Sequence, residues 1–177
     1  MTDATAANSF LVLGVDPGLV CTGYGAIRVS GLRFSLVEAG VVRPDSDAPM
    51  PDRLRTLHDD IAALIGELQP DAMAIEEVFS HVQYPKTAII MGHARGVLLL
   101  AAAMHNVPVL EYSPARIKQS VTGHGRATKE SVARSIVSAL KLTATPEPAD
   151  VTDALAVALC HANAVGRPWL LPGAKPT

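Results

Sequence analysis

Phe10-Leu11-Val12-Leu13-Gly14-Val15-Asp16-Pro17-Gly18 is an apolar run that ends in a carboxylate and two turn-forming residues. A strand with one wet face would alternate with polar residues, so near-continuous Leu, Val and Phe read as a strand buried on both faces. Proline straight after Asp16 removes a backbone donor and glycine permits a positive φ, so the chain leaves the sheet there. Asp16 is therefore expected at the open edge of a central strand, where ligands bind in α/β sheets. Taken alone, Asp-Pro-Gly does no more than open a turn. More weight comes from the acids downstream.

Outward from this strand, Thr22 to Val29 reads as a second strand after a Gly-rich turn, Ser30-Gly31 as a hairpin turn and Phe34 to Val42 as a third strand. Together they form an antiparallel meander. Pro44 to Pro51 is a polar loop. Leu54, Leu57, Ile61, Leu64, Ile65 and Leu68 recur at helical spacing, and Gln69-Pro70-Asp71 stops that helix. Ala72-Met73-Ala74-Ile75-Glu76-Glu77 is a second short apolar run ending in acid. A strand-helix-strand crossover makes it parallel, and placement beside the first strand makes Asp16 and Glu76 neighbours. Glu77 is expected on the opposite face.

After a loop from Ser80 to Pro85, the segment Thr87 to His105 is expected as a helix, apolar nearly all round in its second half. Such a helix is covered on more than one side, which suits the sheet on one face and a second subunit on the other. Val107 to Tyr112 is a fifth strand. Ser113 and Pro114 are an N-cap and a first helical residue, opening a short basic helix to about Val121. A loop, Gly123 to Arg126, precedes a helix from Thr128 to Leu140. A linker, Thr143 to Pro148, leads to the last helix, Ala149 to Ala164.

The chain has 177 residues and is 49% hydrophobic, enough for one domain with a real core, expected over residues 10–165. Residues 1–9 read as a flexible extension and 166–177 as a disordered tail despite Trp169. The two cysteines, Cys21 and Cys160, have neither disulfide-framework nor zinc-site spacing, which fits a reducing cytoplasm. The longest apolar stretch, Val97 to Met104, is too short to span a bilayer, so no membrane partner is expected. Net charge is −2 and pI about 6.3, mildly against a nucleic-acid partner. That average hides a basic segment: Arg116, Lys118, Arg126, Lys129 and Arg134 stand against one acid, Glu130, between Ser113 and Arg134.

Asp150 and Asp153 open the last helix. Either alone would serve as a cap or complement the helix dipole. At i and i+3 they share a face, with Cβ atoms roughly 5–6 Å apart, and repel unless something positive lies between them. If this helix docks at the edge bearing Asp16 and Glu76, four carboxylates converge and need a cation to stay ionised. All-oxygen ligands select Mg²⁺, with Mn²⁺ as a substitute, over zinc. Two such ions about 3.5–4 Å apart are the arrangement that clamps attacking and leaving oxygens in phosphodiester hydrolysis. The basic segment can hold the phosphate backbone beside them.

Leu13 to Gly18 with Thr22-Gly23-Tyr24-Gly25, then Ala74 to Phe79, Ala94-Arg95-Gly96-Val97, Lys118 to Gly123 with Lys129, and Ala149-Asp150 with Asp153 to Ala156 resemble, in order and spacing, the RuvC family of bacterial Holliday-junction resolvases. The resemblance implies a ribonuclease-H-like α/β fold with a five-stranded mixed sheet in the order 3-2-1-4-5. It further implies a homodimer acting on four-way junction DNA and Mg²⁺-dependent nicking of two strands of like polarity, leaving 5′-phosphate and 3′-hydroxyl ends. The companion it implies is a branch-migration motor, RuvA and RuvB. By position, Asp16, Glu76, Asp150 and Asp153 match the family's metal-binding, catalytic carboxylates. Lys118 and Lys129 match its basic residues near the scissile phosphate. Arg116 and Arg126, from the same basic segment, join Lys118 and Lys129 as DNA-binding candidates. Phe79 matches an aromatic near the crossover and is either a lid over the core or a wedge against bases.

Two other classes share parts of this pattern. Actin-like kinases and ATPases also begin with a strand ending in Asp before a Gly-rich hairpin, but they need a second similar half. A non-cleaving module for branched DNA would be weakened by four unpaired acids. Of the histidines, His161 lies about 16 Å along the helix axis from Asp150, too far to share its metal, and only His124, among basic residues, is placed to touch DNA.

Overall fold

The computed structural model describes residues 9–77 and 85–166. Three consecutive strands, β1 (Ser9–Asp16), β2 (Thr22–Ser30) and β3 (Arg33–Val42), form the expected antiparallel meander. Helix α1 (Met50–Leu68) crosses back to β4 (Ala72–Glu76), which lies parallel to β1. Helix α2 (Pro85–Met104) leads to β5 (Val109–Tyr112), and α3 (Pro114–Thr122), α4 (Lys129–Leu140) and α5 (Ala149–Gly166) complete the chain. The strand order is β3-β2-β1-β4-β5, the order expected from the resemblance.

Strand alternation divides the core into two. Leu11, Leu13, Val15, Met73 and Ile75 face Leu57, Ile61, Ile65 and Leu98 of α1 and α2. Val12 and Ala74 face α5, which lies across β1 and β2 with α3 and α4 outside it. Asp16 and Glu76 have the parity of Val12 and Ala74, so both belong to the α5 face. Register brings them together: Val15 pairs with Ile75, and Asp16 and Glu76 are the next residues. Asp71, read from the sequence only as part of a helix stop, pins that register. Its Oδ2 accepts from the Leu11 amide at 2.7 Å, and its own amide donates to the Leu11 carbonyl at 2.9 Å. A slip of one residue would turn either acid to the wrong face.

Glycines on β1 and β2 set how closely α5 can approach. A Cβ on Gly14 would overlap the Ala154 carbonyl and come within 2.7 Å of the Ala158 side chain. One on Gly23 would overlap the Asp150 carbonyl, and one on Gly25 the Leu155 side chain. Helix α5 therefore rests on bare backbone, which brings its first turn to the edge bearing Asp16.

Some boundaries differ from the sequence expectations. Helix α1 starts at Met50 rather than near Leu54, because Pro51 in the first turn has no N–H to leave unpaired. Strand β4 ends at Glu76, and β5 begins at Val109 after Pro108, whose carbonyl still accepts from Met73 N. The cap expected at Ser113 is present, accepting from the amide of Arg116, and Thr128, expected as the first helical residue, instead caps α4 by accepting from the amide of Ser131. Lys86–Met104 of α2 is long and apolar enough, by length and composition, to cross a membrane, so the short run Val97 to Met104 understated it. Its Ala94, Leu98, Ala101 and Ala102 are nonetheless packed into the core.

Candidate active site

A cleft of about 580 Å³ opens at the C-terminal edge of the sheet. Asp16 and Glu76 line it from adjacent strands, Asp153 from the first turns of α5, Lys118 from α3 and Lys129 from the start of α4. Asp150 adjoins the cleft without lining it. Its backbone abuts Gly23. Its charge helps to raise the Cys21 thiol in the β1–β2 loop, burial being the larger cause. Glu77, expected on the opposite face, lines the same cleft, because β4 has ended and the strand alternation no longer applies.

The acids crowd one another. The Asp16 carboxyl is pushed up to about 7, first by burial and then by the negative charges of Asp153, Glu76 and Asp150, with Lys129 opposing. Glu76 is also raised by burial and by Asp153, against the pull of Lys129 and Lys118. Lys129 Nζ donates to Asp153 Oδ2 at 2.8 Å. That bond is the main reason its own ammonium is held above its ordinary range. Lys129, a DNA-binding candidate, is also a cation that offsets the carboxylates, together with Lys118 at Glu76.

Among the described residues, no three His, Cys, Asp or Glu side chains are drawn tightly enough to enclose an ion already. The donor set still fits a hard divalent cation. It consists of carboxylate oxygens only, and beside burial the charges of Asp153, Glu76 and Asp150 raise Asp16 against the opposing pull of Lys129.

Arg116 and Arg126, the other described DNA-binding candidates, do not line the cleft. Arg116, exposed on α3, lies with its guanidinium 5.0 Å from the centre of the Tyr112 ring, within cation–π range. Arg126 is exposed in the loop before α4. Phe79 lies outside the described residues. His161, away from the cleft, is buried and hydrogen-bonded through Nδ1 to the Tyr112 hydroxyl at 2.6 Å. The sequence reading missed the Gly14, Gly23 and Gly25 platform and the Asp71 register lock. Glycine at every second position of a strand was the available signal for the platform.

A five-stranded ribonuclease-H-like sheet with clustered acids at its C-terminal edge is the framework of a metal-dependent nuclease. The chain belongs to the RuvC family: the family model for crossover junction endodeoxyribonuclease RuvC matches residues 12–161. The crossover junction endodeoxyribonuclease RuvC of Alkaliphilus oremlandii is 45% identical over 153 residues, covering 86% of this chain and 93% of the relative. The Thermus thermophilus RuvC structure superposes with a TM-score of 0.82 at 35% identity, over 88% of this chain and 95% of the other. The Thermus thermophilus RuvC in complex with a Holliday junction substrate superposes with a TM-score of 0.85 at 35% identity, over 90% and 96% of the two chains.

Proposed function

We propose that this chain is a structure-selective endodeoxyribonuclease that resolves four-way DNA junctions in recombination and repair, with Asp16, Glu76, Asp150 and Asp153 as its metal-binding carboxylates. The observation that carries this is the register-fixed pair Asp16 and Glu76 facing Asp153 across one cleft, in a chain whose family includes a member solved with a Holliday junction. Divalent ions bound there, Mg²⁺ or Mn²⁺, would supply Lewis-acid stabilisation of the phosphodiester and activation of the attacking water. The chain's own residues set the geometry. Two adjacent strands fix Asp16 and Glu76 side by side, and the glycine platform brings Asp150 and Asp153 to the same edge. Lys118 would neutralise a phosphate at the cleft, and Lys129, now bonded to Asp153, would do the same if Asp153 ligated a metal. Arg116 and Arg126 extend the positive surface along the DNA backbone.

One chain carries one acid cluster, whereas separating a four-way junction takes two cuts related by a two-fold axis, so a second copy of this chain is required. Helix α2 offers the surface. Its outer face carries Ile89, Leu100 and Met104, exposed to 60%, 53% and 64%, and Gly92 and Gly96 leave open space for a close neighbour. Beyond the junction and a second copy, the partner we propose is a branch-migration motor of the RuvA and RuvB type, from family membership alone. Action on bacterial DNA would place the protein in the cytoplasm.

Labelled four-way junction and linear duplex of the same sequence, each with and without Mg²⁺, test the proposal. Paired nicks in the junction alone, and only with Mg²⁺, are expected. No cutting in Mg²⁺ would overturn the nuclease, and equal cutting of the duplex would overturn its selectivity for structure.

A further inference from the structure

The proline that ends β1 leaves a gap in the sheet beside Glu76. Leu11 directs its amide and carbonyl toward the start of β4, so by alternation Leu13, Val15 and residue 17 do the same. In the parallel register Val15↔Ile75, the amide that should reach the Glu76 carbonyl is that of residue 17. Residue 17 is proline and has no N–H. A strand-end carbonyl left unpaired at a partly buried site is costly, and here it belongs to a proposed metal ligand.

Arg95, on the α2 turn next to buried Ala94, supplies the missing donor. Its Nη1 donates to the Glu76 carbonyl at 2.8 Å, and its Nη2 pairs with Glu111 Oε2 on β5 at 2.6 Å. The Arg95 side chain is 13% exposed and that of Glu111 48%. One planar guanidinium therefore bridges the last residue of β4 and the neighbouring strand. The ladder pairing of Glu76 with Tyr112 and the bond from Glu77 N to the Tyr112 carbonyl, 2.9 Å, also hold this end of β4 to β5.

We infer that Arg95 is a positioning residue for Glu76: it replaces the amide that Pro17 cannot offer and holds the end of β4 so that the Glu76 carboxylate faces the cleft. The inference rests on Glu76 being a metal ligand. Arg95 does not line the cleft, so its loss should weaken ion binding and leave junction binding intact.

The test uses the full chain carrying Arg95→Ala, Arg95→Lys, Pro17→Ala with Arg95→Ala, or Glu76→Gln. Each is measured for Mn²⁺ affinity by calorimetry without DNA, for nicking of a four-way junction at limiting and saturating Mg²⁺, for junction binding without divalent ions, and for melting temperature. Arg95→Ala should lose about ten- to a hundredfold in Mn²⁺ affinity and in nicking at limiting Mg²⁺, and regain most of the nicking when Mg²⁺ is saturating. Its junction binding should match wild type. Arg95→Lys and the added Pro17→Ala should each recover part of the loss, since each returns a donor to the Glu76 carbonyl. If Arg95→Ala does not fold, those two variants decide the matter. A folded Arg95→Ala with wild-type Mn²⁺ affinity would overturn the inference, as would folded rescue variants that recover nothing. Normal nicking and Mn²⁺ affinity in Glu76→Gln would instead remove Glu76 from the site, a separate failure.

Discussion

Helices α2 and α5 are both apolar nearly all round, yet one is enclosed and the other half bare. In α5, Val151, Leu155, Val157 and Leu159 are buried, and almost every residue between Val151 and Ala162 is out of solvent. In α2, Ala94, Leu98, Ala101 and Ala102 are buried while Ile89, Leu100 and Met104 stand in solvent. The difference comes from the neighbours. Helix α5 lies on the glycine platform of β1 and β2 with α3 and α4 over its far side, whereas α2 has the sheet and α1 on its inner side only. Apolar content thus shows that a helix face will be covered but not by what. The enclosed helix can fix carboxylates in place, and the open one is available to a partner.

That contrast predicts separable losses. The largest is expected at the start of α5: Asp153→Asn should bring junction nicking to background while junction binding and dimerisation persist, as gel-shift, nicking and sedimentation measurements would show. Substitution on the outer face of α2 should do the reverse. Leu100→Asp should give a monomer with an intact fold, its melting free energy within about 0.5 kcal/mol of wild type because the site is exposed. A dimeric Leu100→Asp protein would place the interface elsewhere. Between the two helices lies the platform. Gly14→Val should cost about 1–3 kcal/mol in denaturant unfolding and lose nicking, because the added side chain lifts α5 and its acids off the sheet.

A smaller effect should appear in metal-free stability. The folded pKa of Asp16 is about 7 against an ordinary 3.8, so its ionised form is disfavoured in the folded protein. Stability contributed by the protonated carboxyl is present below about pH 4 and is lost as pH rises through about 7. Asp16→Asn removes that loss. Without metal it should be more stable than wild type at pH 8, by about 1–2 kcal/mol once solvent screening is allowed for, and no different at pH 4. Excess Mg²⁺ should reverse the order, since only wild type binds it well. Melting curves at both pH values with and without Mg²⁺ check the sign. The smallest effect is expected at Lys118, where replacement by Ala should reduce the slope of log affinity against log salt by somewhat under ~1.

Much of this was legible in the sequence because it is local. Two apolar runs ending in acid gave β1 and β4, a crossover of ordinary length made them parallel, and turn residues marked the hairpins. Asp16 and Glu76 were found the same way, Asp153 from its spacing to Asp150, and the three share a cleft. What was not legible depends on approach between distant elements. Gly14, Gly23 and Gly25 matter only because α5 lies above them, and Asp71 only because Leu11 lies opposite. Lys129 meets Asp153 through the packing of α4 beside α5, a contact 24 residues apart that no spacing rule announces. Glu77 entered the cleft because the strand stopped one residue earlier than its composition suggested.

On this proposal each chain supplies one acid cluster and two chains act together. It is tested most directly by a heterodimer of wild-type and Asp16→Asn subunits, purified through different tags and given a supercoiled cruciform plasmid. One active cluster should nick the plasmid to an open circle and leave the junction unseparated, while the wild-type dimer yields linear product. Mostly linear product from the heterodimer, at the wild-type rate, would contradict the account, because a single cluster would then be making both cuts.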